Sequence, residues 1–200
     1  MKTLKLVVLA FLSIAVFGCK GEKKEEATDQ ENTKENVDTI TDQEKEEENI
    51  TKTIEFALEP KSDSKVSGKV IFTESEGMVN MVAELTGLDE GEHAIHIHEK
   101  ADCTSADGKS TGGHWNPTME SHGKWGAKEG YHKGDIGNFK ADASGNGNIT
   151  FATNEWCIGC DDDKKNIVGK AIIVHQGIDD FTSQPSGAAG SRVSCGGIIQ

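Results

Sequence analysis

Seven histidines, His93, His96, His98, His114, His122, His132 and His175, are the only ones in the chain, and none lies in the first 92 residues. Three fall in HAIHIHE, residues 93–99. If that stretch is a strand, successive side chains point to opposite faces. His96 and His98 then share one face, while His93 lies on the other with Ile95 and Ile97. Neutral imidazole is the commonest metal ligand, so two on one face can begin a metal site. The same pair also fits a solvated polar face, or one core histidine with its hydrogen bonds satisfied. His114, His122 and His132 favour the metal. They lie in 101–134, a Gly-, Ser- and Asp-rich stretch with little periodicity, where a bound ion would supply the order its composition does not.

Arg192 is the only arginine, three residues before Cys195. Its permanent charge suits it to attract and orient a small anion; the competing reading is an ion pair with one of the many acids. Five cysteines are present, and setting aside Cys19 leaves an even four, as expected for disulfides in an oxidising compartment. Cys157 and Cys160 form a CxxC pair followed by Asp161, Asp162 and Asp163. Those charges oppose thiolate formation, which argues against thioredoxin-like chemistry. A local disulfide, a third metal site and exposed reactive thiols remain as readings.

These side chains require strands to position them. Ile54, Phe56 and Leu58 alternate with polar neighbours, and 66–72 and 78–85 follow, joined through Ser75-Glu76-Gly77. The histidine strand comes after Asp89-Glu90-Gly91. A hairpin is expected from 136–140 and 148–152 around the turn 142–147, then an apolar β-branched strand at 167–175 and a last one at 191–199. Eight short strands with Gly-rich turns predict an all-β sandwich or barrel over residues 50–200.

Residues 1–18 read as a signal peptide: Lys2 and Lys5 precede an apolar run, Leu6 to Phe17, too short to span a bilayer. Val16-Phe17-Gly18-Cys19 resembles a bacterial lipobox, which implies lipidation at Cys19; the other reading is an ordinary signal with an incidental cysteine. From 20 to 49 the chain carries five lysines and twelve acids with almost no large apolar residues, so 19–49 reads as a disordered, lipid-anchored acidic tether. Its first residues, 20–26, resemble the charged export signals of surface lipoproteins and equally fit a plain solvated linker. Together these features place the protein in the bacterial cell envelope, meeting membrane only through its anchor. A net charge of −13 excludes nucleic acid as a partner.

The ordered motifs carry a family resemblance. His96-x-His98, Gly113-His114-Trp115-Asn116-Pro117, His122, His132-Lys133-Gly134-Asp135, Val174-His175 and Gly190-Ser191-Arg192-Val193-Ser194-Cys195-Gly196 together resemble Cu,Zn superoxide dismutase over about residues 50–200. The resemblance implies an eight-stranded antiparallel Greek-key β-barrel with long metal-binding and electrostatic loops, and one copper and one zinc per chain. It implies copper at His96, His98, His114 and His175, and zinc at His114, His122, His132 and Asp135, with His114 bridging the metals and passing on a proton. Asp179 would link a copper ligand to a zinc ligand, Cys103 and Cys195 would form a disulfide, and Arg192 would act in catalysis. Many members are dimers and bacterial ones differ in how they pair, so the resemblance admits a homodimer without requiring one.

The donor types agree with this on separate grounds. Three imidazoles and a carboxylate suit a closed, redox-inert zinc, and four imidazoles suit copper and one-electron cycling. The implied reaction is dismutation of superoxide to dioxygen and hydrogen peroxide, serving antioxidant defence. The rival is a non-enzymatic copper- and zinc-binding envelope module. Steering of the anionic substrate must be local, because the chain is acidic and 176–191 holds no charge except Asp179 and Asp180. Arg192, nearby lysines and the metals would supply it, with Lys124, Lys128 or Lys133 as the candidate substitutes for a charged loop.

Overall fold

The computed structural model describes residues 51–200. The segments 1–18 and 19–49, with the lipidation expected at Cys19, lie outside the described residues. Eight strands follow in order: β1 (Lys52–Pro60), β2 (Ser67–Ser75), β3 (Met78–Thr86), β4 (Gly91–His98), β5 (Gly137–Ala141), β6 (Gly147–Thr153), β7 (Ala171–His175) and β8 (Arg192–Gly197). They pair antiparallel into a closed barrel in the order β1-β2-β3-β6-β5-β4-β7-β8. The jump from β3 to β6, with β4 returning beyond β5, is the Greek-key crossing. Closure leaves no edge strand to template aggregation.

The two-residue period decides what each strand buries. In β3, Val79, Met81, Ala83 and Leu85 face the core and their neighbours face water. Strand β4 departs from this alternation, since every residue from His93 to His98 is buried. Ile95 and Ile97 join the barrel core, whereas the opposite face, carrying His96 and His98, is covered by the loops. His93 stands apart from the other two, as the period requires: its ring nitrogens lie 3.0 Å from the His175 carbonyl and 2.9 Å from the Asp89 carbonyl.

Two elements differ from the expected pattern. The strand expected at 167–175 begins only at Ala171, because Gly169 adopts φ +83° and the Lys170 amide turns back onto the Ile167 carbonyl. Ile167 is nevertheless fully buried, so its apolar signal reported packing and not strand. The hairpin at 136–152 shares one pair, Ala141 with Gly147, before its arms diverge, β5 along β4 and β6 along β3.

Three connections carry the chemistry: 99–136 between β4 and β5, 154–170 between β6 and β7, and 176–191 between β7 and β8. The first is stitched to the sheet beyond β4. Trp115 N–H donates to the Ile97 carbonyl (2.8 Å) and Ile97 N–H to the Gly134 carbonyl (2.9 Å), while Glu99 N–H reaches the Gly113 carbonyl (3.1 Å). The Trp115 ring enters the core and anchors the loop. The Cys103–Cys195 disulfide ties the same loop to β8 across 92 residues of sequence. By loop closure a bridge of that span stabilises by about 4–5 kcal/mol. Cys157 and Cys160 are joined as well, which selects the disulfide among the readings of the CxxC pair.

Candidate metal centre

Four ring nitrogens, His96 Nδ1, His98 Nε2, His114 Nε2 and His175 Nε2, are buried with no hydrogen-bond partner, and ligand atoms of these four residues lie within 4.8 Å of one another. Orphaned polar atoms at this depth are costly and call for an explanation. Their convergence supplies one, a cation held between them.

Local structure explains how each ring is aimed. His96 and His98 project from the same face of β4, and loop residue His114 is laid beside His98 by an isolated antiparallel bridge. His175 ends β7 at a register shift, paired with Arg192, the first residue of β8. Irregularities of this kind re-aim side chains at sites. The second nitrogen of each ring is occupied: His96 Nε2 by Asp179 Oδ2 at 2.9 Å, His98 Nδ1 by the Gly112 carbonyl at 3.0 Å, and His175 Nδ1 by the Gly190 carbonyl at 3.4 Å. Pinning one nitrogen fixes the tautomer and presents the other to a metal.

The second cluster, His114, His122, His132 and Asp135, is equally buried and shares His114 with the first. Asp135 Oδ1 lies 2.8 Å from His114 Nδ1 and 3.3 Å from His132 Nδ1, and Oδ2 lies 3.0 Å from His122 Nδ1. Ligands about 2.0–2.2 Å from a tetrahedral zinc sit about 3.3 Å apart, so these spacings fit an ion of that size. Asp135 Oδ2 also accepts the His132 and Gly123 amides at 2.8 and 3.2 Å, which holds the carboxylate in place.

Asp179 joins the clusters. Its Oδ2 meets His96 and its Oδ1 lies 2.8 Å from His122 Nε2. Gly187, at φ +65°, passes so close that a Cβ there would overlap the Asp179 carboxylate and His122 Nε2. Asn138 fixes the Asp179 backbone, accepting its N–H at 2.8 Å and donating to its carbonyl at 2.9 Å.

Charge is arranged to suit cations. Burial, and then the neighbouring imidazoles, push His98 and His175 well below the ordinary histidine value. Burial lowers His114 to about 4 against the pull of Asp135. His122 goes the other way: burial lowers it, but the Asp135 and Asp179 carboxylates outweigh burial and raise it to about 9. Both carboxylates are held below the usual range because hydrogen bonds from the histidines overcome burial. Neutral rings are therefore favoured at His98, His114 and His175, and anionic oxygens face the second cluster.

The first cluster opens into a cavity of about 670 Å³ whose lining includes His98, His114, His175 and Arg192. Arg192 Nη1 donates to the Gly108 carbonyl and to Thr111 Oγ1, each at 2.9 Å, and not to a carboxylate as the ion-pair reading required. The lysines expected to steer are placed elsewhere. Lys133 is tied to Glu155, and neither it nor Lys124 nor Lys128 lines this cavity. Lys109 does, alongside the acids Glu99, Asp107 and Glu120. Sequence reasoning missed Lys109, and also Gln184, whose amide brackets the His122 backbone by accepting its N–H and donating to its carbonyl, each at 2.9 Å. A glutamine flanked by uncharged residues carries no local signal of that task.

Comparison with known proteins agrees with this geometry. The family model described as copper/zinc superoxide dismutase matches residues 66–198. An extracellular superoxide dismutase [Cu-Zn] of Drosophila melanogaster is 35% identical over 144 residues, covering 68% of this chain and 77% of its own. A superoxide dismutase [Cu-Zn] of Botryotinia fuckeliana is 36% identical over 152 residues, covering 69% and 92%. Among solved structures, a double mutant of a SOD-like protein from Bacillus subtilis superposes with a TM-score of 0.65 at 29% identity, covering 73% of this chain and 97% of that one. Barrel order, converging unpartnered imidazoles and sequence likeness over most of the described residues agree, and the chain belongs to the copper/zinc superoxide dismutase family.

Proposed function

We propose that this protein is an exported copper/zinc superoxide dismutase that converts two superoxide anions and two protons into dioxygen and hydrogen peroxide. The observation that carries the reading is the convergence of four buried, unpartnered ring nitrogens on one point at the base of an open cavity. His96 Nδ1 and the Nε2 atoms of His98, His114 and His175 would hold copper. Asp135 and the Nδ1 atoms of His114, His122 and His132 would hold zinc. When bound, copper supplies a one-electron Cu(II)/Cu(I) couple and zinc a fixed positive charge without redox chemistry.

The chain's own residues do the rest. Arg192, in the cavity wall, binds and orients the anion. His114 offers a nitrogen to each cluster, and its Nε2, on the cavity side, is the atom that takes up and releases a proton. Asp179 keeps His96 and His122 in the tautomers that leave Nδ1 free for metal. The acidic lining dilutes the attraction exerted by Arg192 and Lys109, so weak steering is part of the same reading.

Elemental analysis of the purified protein with a dismutation assay tests the proposal. Copper and zinc near one each per chain, with activity lost when copper alone is removed, support the enzyme. Unchanged activity after copper removal refutes the copper reading, and absence of dismutation by the copper- and zinc-loaded protein leaves a non-enzymatic metal-binding module.

Export is supported by the two disulfides and by relatives named extracellular. The finer reading is a signal peptide over 1–18, lipidation at Cys19 and an acidic tether to residue 49 in the bacterial envelope, supported by composition. Mass spectrometry of the membrane-extracted protein tests it, because lipidation at Cys19 predicts a diacylglycerol-modified N-terminal cysteine. The family resemblance makes a homodimer one candidate assembly, and sedimentation of the purified protein distinguishes it from a monomer.

A further inference from the structure

Thr111 is fully buried at the end of a 3₁₀ turn, Lys109–Thr111, in the loop that also carries Cys103 and His114. Its hydroxyl donates to the Gly108 carbonyl at 2.8 Å. A threonine hydroxyl has one hydrogen and two lone pairs, so that bond commits the hydrogen and leaves the oxygen as an acceptor. Arg192 Nη1 donates to that oxygen and to the Gly108 carbonyl, each at 2.9 Å. Carbonyl, hydroxyl and guanidinium close a three-membered ring of hydrogen bonds.

The turn is rigid before the arginine meets it. Ser105 N–H donates to Ser110 Oγ at 3.1 Å and Ser110 N–H to Ser105 Oγ at 2.9 Å. Ser110 Oγ donates to the Asp102 carbonyl at 2.6 Å, and the adjacent Cys103 is bonded to Cys195. Gly108 lies so near the arginine stem that a Cβ there would stand 3.3 Å from Arg192 Cβ. Asp107, the nearest acid in the sequence, is engaged by the Lys109 ammonium at 2.9 Å and amide at 3.0 Å.

A guanidinium has five N–H donors, two of them on Nη1. Nη1 is engaged by two neutral acceptors, so the side chain is held while its charge and the donors on Nε and Nη2 stay available to an anion. A carboxylate in place of Thr111 would fix the same group and neutralise it. We propose that Thr111 is the positioning residue for Arg192, holding the guanidinium at the copper cavity as a full cation for the anionic substrate. This rests on the reading of Arg192 as the anion-orienting residue.

The test uses the copper- and zinc-loaded protein and reads azide affinity, from the absorption change when azide titrates the copper centre, together with metal content and dismutation rate. The variants are Thr111→Val, Thr111→Ala, Thr111→Ser, Arg192→Gln and the double variant Thr111→Val with Arg192→Gln. Removing the hydroxyl, as valine or alanine, is expected to weaken azide binding and lower the rate about tenfold with metal content unchanged, the scale of one hydrogen bond to a charged group. Serine, which restores the acceptor, is expected to return both to within about twofold of wild type. In the double variant Thr111→Val is expected to add nothing, because Thr111 acts through the arginine.

Wild-type azide affinity in both Thr111→Val and Thr111→Ala, with a loss in Arg192→Gln, overturns the role of Thr111 and leaves that of Arg192 standing. Wild-type behaviour of Arg192→Gln overturns the underlying reading instead. Loss of metal in the hydroxyl-free variants, failure of serine to restore binding, or a further loss in the double variant each assigns Thr111 a structural role and overturns the proposal.

Discussion

His96 and His122 are held by opposite oxygens of one carboxylate, Asp179, at 2.9 and 2.8 Å, although one ring belongs to each candidate cluster and they come from different elements. A single side chain from 176–191 thus orients a ring in both clusters. Asp179→Ala should weaken zinc binding about 10–100-fold, the usual scale for losing a residue that orients a metal ligand. Copper should weaken less, because His98, His114 and His175 have their own supports. Competition with a chelator measures both, and unchanged zinc affinity would contradict the assignment.

His114 is the residue common to both clusters. His114→Ala should therefore disturb both metals, whereas His122→Ala should cost chiefly zinc and the order of 99–136. Metal analysis of the purified variants separates these outcomes, and loss of copper alone in both would refute the bridging role.

Stability of the metal-free protein should depend on pH in opposite directions on either side of about 6.5, the ordinary histidine value. His114, lowered to about 4, contributes stability that is complete above 6.5 and is lost as pH falls toward 4, and the lowered His98 and His175 act in the same direction. His122, raised to about 9, contributes stability that is complete below 6.5 and is lost as pH rises through 9. The denaturation midpoint of the metal-free protein should peak near 6.5 and fall toward both 4 and 9. Zinc replaces the proton on His122, so adding it should abolish the alkaline fall; a midpoint flat from 4 to 9 would sink this account.

The two disulfides should differ in worth. Cys103–Cys195 closes 92 residues and Cys157–Cys160 closes 3. Cys103→Ser should cost about 4–5 kcal/mol and Cys157→Ser about 2 kcal/mol by loop closure. Only the former should also lower activity, because Cys103 tethers the turn that seats Arg192. Thermal melts beside dismutation assays decide this, and equal effects of the two would contradict it.

Part of the candidate centre is legible in the sequence. The separation of His93 from His96 and His98 follows from the two-residue period, a local property, and the pinning of His93 onto two backbone carbonyls agrees with it. The strands at 78–85 and 93–99 were legible for the same reason. The start of β7 differs from the expected one because Ile167 is buried and Val168 partly buried without being extended, and a hydrophobic pattern reports burial first.

What the order of residues determined was the inventory: which imidazoles and carboxylates are available, which of them share a strand face, and that a lone arginine stands beside a cysteine. Tertiary structure decided which residues they meet. The carbonyls of Gly112 and Gly190 orient His98 and His175, Gln184 brackets His122 from 62 residues away, and Lys109 takes the place at the cavity expected of other lysines. Thr111 meets Arg192 across 81 residues of sequence. Every residue carries a carbonyl and most loops carry a lysine or a threonine, so none of these partners bears a compositional mark; only closure of the barrel brings the loops to one end and selects among them.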